Sequence, residues 1–331
     1  MSALAWASQM SVLPATQELT GGRRVRDWLG DRIMFGLTLL AALVTVAIMV
    51  AIAYKVVRGA ELSFRAFGLS FVSDSVWDTN KEVYGAAQFL YGTAVTSLIA
   101  LLIATPLAIA IALFLSELAP RGMRVIVGAL VELLAAIPSV VLGLWGILVL
   151  GPFVATHIEP SLHRWLGFLP IFSGKPSSSG LFVASLVLAI MVVPIVASIC
   201  RELFLSVPTE LEEAALALGS TRWEMVRGVV LSSSKAGIGA AVILGLGRAI
   251  GEAIAVTQVI GAGNSGIHAS VFATGDTLAS RIAGQFIGAT SKLQIASLFY
   301  LAGILLVIGL LTNLLAQVIV RRFESQRVGA D

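Results

Sequence analysis

An arginine and a glutamate stand inside one of the most apolar stretches of this 331-residue chain, the sequence GLGRAIGEAIAV at 245–256. Arg248 and Glu252 are four residues apart, so in a helix they share one face and can form an ion pair. A guanidinium presents fixed N–H donors that match phosphate oxygens, and Glu252 would hold it in place and keep it from trapping an anion. The spacing fits an anion path, and it also fits a buried pair that only fixes helix register.

Other residue types that carry chemistry are sparse and scattered. The chain has one cysteine, Cys200, and three histidines, at positions 157, 163 and 268. These numbers exclude a disulfide framework and do not fit a thiolate or histidine metal site. The phosphate-loop pattern G-x-x-x-x-G-K-[ST] does not occur in the sequence, so we do not expect the chain to hydrolyse ATP by that route. We predict no catalytic residue, no metal site and no cofactor of its own.

The composition indicates the environment that surrounds the chain. Hydrophobic residues make up 57% of the chain and charged residues 12%, and the mean hydropathy is +0.94. A soluble protein carries about 25% charged residues, so the sequence predicts an integral membrane protein. Because about 20 apolar residues cross a bilayer as a helix, we predict an all-α protein with six transmembrane helices. They cover residues 33–54, 89–116, 125–150, 181–200, 236–261 and 293–320.

The distribution of Lys and Arg predicts the orientation of these helices. The segments that are cytoplasmic when the N-terminus lies inside carry more basic residues than the three outer loops, as the positive-inside rule requires. We therefore expect a multi-pass protein of the inner or plasma membrane with both termini in the cytoplasm. Its organisation is a cytoplasmic segment at 1–32, a transmembrane domain at 33–320 and a cytoplasmic tail at 321–331.

The longest cytoplasmic loop, 201–235, contains the signals of a short helix. Pro208 and Thr209 suit a helix start, and Thr209-x-x-Glu212 fits a capping box. Gly219 predicts the C-terminal stop. The residues that place negative charge at the positive end of the helix dipole are Glu210, Glu212 and Glu213. Taken alone, this pattern also fits an ordinary amphipathic connector between two membrane spans.

The same segment resembles the E-A-A-x-x-x-G loop of ABC importer permeases. Its Glu213, Ala214, Ala215 and Gly219 match that loop in spacing and in position before the penultimate span. The resemblance implies that the helix from Glu210 to Gly219 docks into a groove of a cytoplasmic ATPase subunit, where two alanines allow close approach. The family loop usually ends I-x-L-P, whereas this chain has Ser in place of the proline, which we interpret as a changed entry into the fifth span.

The sequence GLGRAIGE resembles the signature of the phosphate-specific (Pst) ABC transporter permeases, especially their PstC-like subunits. Two further stretches match, AIPSVVLGLWG at 136–146 and, more weakly, TLASRIA at 277–283, and the resemblance covers residues 84–322. It implies a type I ABC importer (MetI-like) permease fold and places Arg248 and Glu252 on the path of phosphate. The implied partners are a homologous second permease subunit, two cytoplasmic ATP-binding subunits that hydrolyse the ATP, and an external phosphate-binding protein.

Two features of the spans concern packing and gating. Gly247 and Gly251 form a G-x-x-x-G pair, which predicts a face for close helix packing. Pro138 and Ser139 lie in the middle of the third span, where they can free backbone groups to line a cavity. A kink packed against a neighbouring helix is the interpretation we favour for this step.

These observations lead to one predicted function and three rivals. The prediction is a permease subunit of an ATP-driven importer that passes inorganic phosphate to the cytoplasm by alternating access, and is not itself an enzyme. The nearest rival transports sulfate, molybdate or tungstate through the same architecture. A second rival is a secondary transporter driven by an ion gradient, with Glu252 as the proton carrier. A membrane-embedded enzyme is the third, and no constellation of catalytic residues supports it.

Overall fold

A computed structural model of the chain describes residues 21–263 and 266–328. Within these residues, six helical segments are long and apolar enough to cross a membrane, so the predicted number of spans is confirmed. Their observed bounds are Gly30–Phe67, Ala87–Leu118, Ser139–Leu166, Leu181–Leu205, Arg222–Gly251 and Lys292–Ile319. Of the predicted terminal segments, 1–20 and 329–331 lie outside the described residues.

The chain divides into two units, Met1–Lys55 and Val56–Asp331. The described part of the first unit is helical throughout and belongs to helix α1, which runs over Gly21–Phe67. The helix thus begins before residue 33, where the sequence predicted the first span to start. From Gly30 to Val50 its side chains are exposed, and they are mostly apolar, as a helix in contact with lipid requires.

The second unit begins with a small aromatic layer that precedes the second span. It contains the short helix α2 and a two-stranded antiparallel hairpin in which Trp77 pairs with Tyr84. Phe71 stacks on Tyr300, with ring centroids 4.3 Å apart. Helix α3 follows and continues through a π-helical turn at Phe114–Leu118. The elements are α2 (Ser70–Ser73), β1 (Trp77–Asp78), β2 (Val83–Tyr84) and α3 (Ala87–Leu113).

The third span differs from its prediction. Residues 125–150 were expected to form one helix, but helix α4 ends at Ala136 and α5 begins at Ser139. Ile137 and Pro138 between them have extended backbone, because proline disfavours the helical conformation of the residue before it. The elements of this region are α4 (Arg121–Ala136), α5 (Ser139–Trp145), a π-turn (Gly146–Leu150), α6 (Gly151–Phe153), a π-turn (Val154–Ile158), α7 (Glu159–Leu166) and a 3₁₀ turn (Pro170–Phe172).

Helix α8 forms the centre of the second unit. It packs along α3 and α11, and most of its side chains are buried, including Val192 and Val196. A fully buried apolar helix is expected at the core of a bundle. The elements that complete the chain are α8 (Leu181–Leu205), α9 (Thr209–Ala217), α10 (Arg222–Met225), a π-turn (Val226–Val230), α11 (Leu231–Gly251), α12 (Ile254–Val259), α13 (Leu278–Gln285) and α14 (Lys292–Val328).

The fifth span also differs from its prediction. The sequence predicted one helix over 236–261, whereas α11 ends at Gly251 and Glu252 has an extended backbone with φ −73° and ψ 116°. The short helix α12 then starts at Ile254. The span is Arg222–Gly251, so the charged pair predicted for the middle of a helix lies at the end of one.

Candidate functional site

Arg248 and Glu252 form the ion pair that their spacing predicted. Arg248 Nη2 lies 3.1 Å from Glu252 Oε2. The two side chains differ sharply in exposure, since the arginine is 47% exposed and the glutamate 5%. The carboxylate is therefore held inside the unit, while the guanidinium reaches from it to the surface and can present donors to an anion.

The break after α11 fixes the carboxylate. Glu252 Oε1 accepts a hydrogen bond from the backbone N–H of Ala255, at 3.3 Å, in the first turn of α12. A negative charge at a helix N-terminus is favourable because the peptide dipoles place partial positive charge there. Glu252 thus uses one oxygen for the helix start and the other for Arg248, and a buried carboxylate without such partners would be costly.

The exposed side of α11 carries the arginine in a stripe with small residues. Leu244, Gly247, Arg248 and Gly251 are all exposed, and they recur at the spacing of one helix face. A Cβ built on Gly247 or Gly251 would meet no described atom within 4 Å. The expected packing at these two glycines is therefore not found within the described part of this chain, because their face is open.

Other glycines of α11 perform the packing instead. A Cβ on Gly245 would lie 2.8 Å from Val192 Cγ1 and 3.0 Å from Val196 Cγ2, so this position allows α8 to approach closely. Gly237 lies in the same way against Leu203. Both glycines lie against α8, whereas the Arg248 side chain farther along α11 is half-exposed.

The Pro138–Ser139 step is a full helix break, so the kink that we favoured is wrong. Both Ile137 and Pro138 are extended, and Pro138 directly precedes the first residue of α5. Helix α5 then packs on α12, where a Cβ on Gly143 would lie 2.8 Å from Ala255 Cα and one on Gly146 would lie 2.8 Å from Val259 Cγ1. Later residues of α5 thus meet later residues of α12, so the two helices run parallel.

This parallel register brings the two breaks to one level. Pro138 stands directly before the first residue of α5, and Glu252 stands two residues before the first residue of α12. The Pro138 break directly precedes the span Ser139–Leu166, and the Glu252 break directly follows the span Arg222–Gly251. The two breaks thus precede a pair of helices that pack against each other, and Arg248 lies one helical turn before Glu252.

The predicted coupling helix is present as α9, over Thr209–Ala217. Its predicted capping box at Thr209 and Glu212 is wrong, since α9 has no side-chain cap and Pro208 precedes it with an extended backbone. The capping box forms instead at α10, where Thr221 Oγ1 accepts the Glu224 N–H and Glu224 Oε2 accepts the Thr221 N–H. Pro208 sets the start of α9 because its fixed φ suits the residue before a helix.

Gly219 ends the helix as predicted. Its φ is +90°, a conformation that glycine adopts at little cost. The Ser220 N–H donates to the Ala215 carbonyl at 3.2 Å, and the Gly219 N–H donates to the Leu216 carbonyl at 3.0 Å. This pair of bonds is the Schellman motif, in which the last carbonyls of a helix are satisfied.

Helix α9 and its C-terminal end expose large apolar side chains. Leu211 and Leu216 of the helix are 50% and 41% exposed, and Leu218, directly after it, is 88% exposed. Of the predicted coupling residues, Ala215 is partly buried, and the exposed ones are Glu210, Glu213, Ala214 and Gly219. Burial and the nearby charge of Glu117 raise the pKa of Glu212, which lies on the partly buried side. The predicted residues thus stand on a helix surface open to a partner.

A second ion pair, which was not predicted from the sequence, joins Asp276 and Arg281. Arg281 Nη2 lies 3.1 Å from Asp276 Oδ2, and both side chains are almost fully buried. The guanidinium carbon stands 4.7 Å from the centroid of the Phe89 ring and 5.6 Å from that of Trp77. Burial raises the pKa of Asp276, against the opposing effects of Arg281 and the Ser280 hydroxyl. The weak TLASRIA match was the only sequence signal for this pair.

Comparison with known proteins identifies the family. The family described as "Binding-protein-dependent transport system inner membrane component" matches residues 104–325, which contain both helix breaks, the coupling helix and Arg248. The chain belongs to this family. It is thus a multi-pass membrane protein and a permease subunit, and the predicted type I, MetI-like permease fold is confirmed.

Individual relatives align with most of this chain. A protein of Mesorhizobium japonicum named "Phosphate transport system permease protein PstC" is 39% identical over 322 residues, which are 96% of this chain and 98% of the relative. A Pasteurella multocida protein of the same name is 42% identical over 84% of this chain and 88% of the relative.

A solved structure shares the fold at low sequence identity. It is a bacterial alginate ABC transporter, crystallised in complex with an alginate pentasaccharide-bound periplasmic protein. It aligns with a TM-score of 0.56 at 19% identity, over 89% of this chain and 97% of the matched chain. The likeness shows the arrangement of the helices. In the described residues, no group of three or more metal-ligating side chains accompanies this fold.

Proposed function

We propose that this permease subunit carries inorganic phosphate into the cell as part of an ATP-driven importer. The observation that carries the proposal is the position of Arg248, which is 47% exposed on an open helix face and is held by a buried carboxylate at a helix break. The names of the relatives at about 40% identity support phosphate as the substrate.

Arg248 would bind the anion through the donors that face away from Glu252. A guanidinium offers five N–H donors in one plane, so it can hold Glu252 and still meet two phosphate oxygens. Glu252 neutralises part of the charge, which weakens the hold on the anion. Weak binding suits a carrier, because cargo that is held tightly is not released.

The two adjacent helix breaks would supply the movable part. Extended residues at Pro138 and at Glu252 interrupt two parallel segments at one level, so each half can tilt without bending a helix. A change of tilt would turn Arg248 from one side of the membrane to the other. Alternating access would then arise because rigid helices change their tilt at these two breaks.

The surfaces that the chain exposes support an arrangement of partners. The coupling helix, Glu210 to Gly219, would dock into a cytoplasmic ATPase subunit, and two such subunits would hydrolyse the ATP. A homologous second permease would cover the open face of α11 and pack on Gly247 and Gly251. An external phosphate-binding protein would deliver the anion to the outer loops. In this arrangement both chain termini lie in the cytoplasm.

Uptake of radiolabelled phosphate by proteoliposomes that contain the complete importer tests the proposal. We expect uptake that requires internal ATP and the binding protein, and that excess unlabelled sulfate or molybdate does not reduce. Strong competition by one of these oxyanions would show a different substrate. Uptake that continues without ATP and collapses with the proton gradient would show a secondary transporter.

A further inference from the structure

A groove lies between α1 and α14 in the second unit, far along the chain from Arg248. Its volume is about 330 Å³. Helix α1 contributes Arg58, Leu62 and Arg65, which recur at positions i, i+4 and i+7 and so share one face. Lys292 and Phe299 of α14 form the opposite wall. We refer to this feature as the α1–α14 groove.

The walls of the groove are held together firmly. A Cβ on Gly59 would lie 2.5 Å from Phe299 Cγ, so α1 can approach the aromatic ring only because residue 59 has no side chain. Ser63 and Ser297 are fully buried, and their hydroxyls are 3.1 Å apart. The groove is therefore a fixed shape between two packed helices, and it does not depend on the placement of a loop.

The rim of the groove carries excess positive charge. Glu61 lies 3.4 Å from Arg58 and 2.5 Å from Arg65, so one carboxylate is shared between two guanidinium groups. Lys292 adds a third cation at the N-terminus of α14, where the helix dipole also favours an anion. The Arg58 and Arg65 side chains are 63% and 75% exposed. Such exposed pairs are weak, so the two arginines can turn toward another anion at little cost.

The floor of the groove is apolar. Leu62 is 48% exposed in spite of its aliphatic side chain, and Phe299 and Ile295 stand opposite it. The groove also lies at the end of two apolar stretches of sequence, because the first stops before Lys55 and the last begins at Leu293. Its cations thus stand where the headgroups of a bilayer begin.

We propose that the α1–α14 groove binds the headgroup of an anionic phospholipid. The phosphate would lie among Arg58, Arg65 and Lys292, and the glycerol and first methylenes would cover Leu62 and Phe299. Free phosphate would use the rim and leave the apolar floor in water, which makes a lipid the better fit. Basic clusters at the end of a membrane helix attract anionic lipids in the same way.

Native mass spectrometry of the purified importer complex tests this proposal. The complex is exchanged into neutral detergent and mixed with equal amounts of phosphatidylglycerol and phosphatidylcholine. We expect the wild type to retain phosphatidylglycerol with about tenfold preference, a size typical of a few basic contacts. Arg58→Gln, Arg65→Gln and Lys292→Gln together should reduce the preference to about that of the control lipid.

A control variant removes the same number of positive charges outside the α1–α14 groove. Lys81, Arg164 and Lys175 are exposed basic residues outside the groove, and their combined change to Gln should leave the preference unchanged. An equal loss in both triple variants would overturn the proposal, as would full retention of the lipid in the groove variant. Should the groove triple fail to assemble, Arg65→Gln alone, at the most exposed of the paired positions, gives the same comparison against Arg164→Gln.

A competition arm separates a lipid from free phosphate. Excess inorganic phosphate in the mixture should not displace phosphatidylglycerol, because phosphate cannot cover Leu62. Displacement would show a site for the free anion and would contradict the proposal. A third variant, Leu62→Asp, places a carboxylate on the floor and should lower lipid retention while ATP-driven phosphate uptake still proves that the complex is folded.

Discussion

Arg248 Nη2 and Glu252 Oε2 lie 3.1 Å apart, with the carboxylate buried and the guanidinium half-exposed. One member of the pair is therefore buried and the other can contact an anion, unlike a fully buried pair that only fixes packing. Glu252 is also tied to the first turn of α12 through the Ala255 N–H. A movement of α12 would therefore move the Glu252 carboxylate and, through the ion pair, the Arg248 guanidinium. The conformation of the helix break would thus affect how far the guanidinium can reach an anion.

Glu252→Gln should lower kcat and KM for phosphate together. The amide can still accept the Ala255 N–H but no longer neutralises Arg248, so the anion would be held more tightly and released more slowly. We expect KM to fall by roughly tenfold, which corresponds to about 1.4 kcal/mol. Kinetics of phosphate uptake by the reconstituted complex measure both constants. An unchanged KM with a lower kcat would contradict the moderating role of Glu252.

Ala214→Trp should prevent binding of the ATPase subunit. Ala214 is exposed on α9 beside Glu213, and an indole in its place would fill the space that a docking groove needs. Co-purification of the complex measures the effect, and phosphate uptake should be lost with the ATPase. Leu205→Trp, an exchange at an exposed position of α8 outside the coupling helix, should leave co-purification intact. Normal recovery of the ATPase with the Ala214 variant would contradict the assignment.

Gly219→Ala isolates the cost of backbone conformation at the end of the coupling helix. The residue has φ +90°, and a Cβ there would meet no described atom within 4 Å. Alanine should therefore cost about 1 kcal/mol through strain alone. Gly228→Ala is the control, since residue 228 is equally uncrowded but lies in a helical turn with ordinary φ. Thermal unfolding of the detergent-solubilised complex compares the two, and equal midpoints would contradict the interpretation.

Arg281→Met should strongly destabilise the region around α13. The change leaves the Asp276 carboxylate buried without its cation, and breaking a buried pair in this way costs about 3–5 kcal/mol. Lys81→Met removes one partner of an exposed pair with Asp78 and should change stability by less than about 0.5 kcal/mol. The midpoint of thermal unfolding distinguishes the two variants. A similar small shift in both would show that the Asp276–Arg281 pair does not hold this region together.

Composition and span length predicted the membrane helices, since long apolar runs leave few alternatives. The two helix breaks were not predicted, because apolar residues continue on both sides of Pro138 and of Glu252. A break depends on local backbone geometry and on the packing of α5 against α12, which a hydropathy pattern does not contain. The capping box was misplaced for a related reason. Thr209-x-x-Glu212 and Thr221-x-x-Glu224 have the same spacing, and only the fold decides which one closes.

The candidate site was predicted in part. The four-residue spacing of Arg248 and Glu252 indicated their pairing, but the difference in exposure follows from the helix break and could not be read from the sequence. The Asp276–Arg281 pair was overlooked because Asp276 lies in a loop and Arg281 in the short helix α13, between two predicted spans. Its partners Trp77 and Phe89 are about 200 residues distant in the chain, so the cluster exists only in the fold.

The most direct test of the central claim is phosphate uptake by the complete importer that carries Arg248→Ala. We expect at least a hundredfold loss of uptake, the size of one lost charge-assisted contact of about 3 kcal/mol, and partial activity in Arg248→Lys. The complex should assemble normally, and Arg164→Ala, which removes an exposed arginine of α7, should transport at the wild-type rate. Uptake at the wild-type rate in the Arg248→Ala complex would contradict the account.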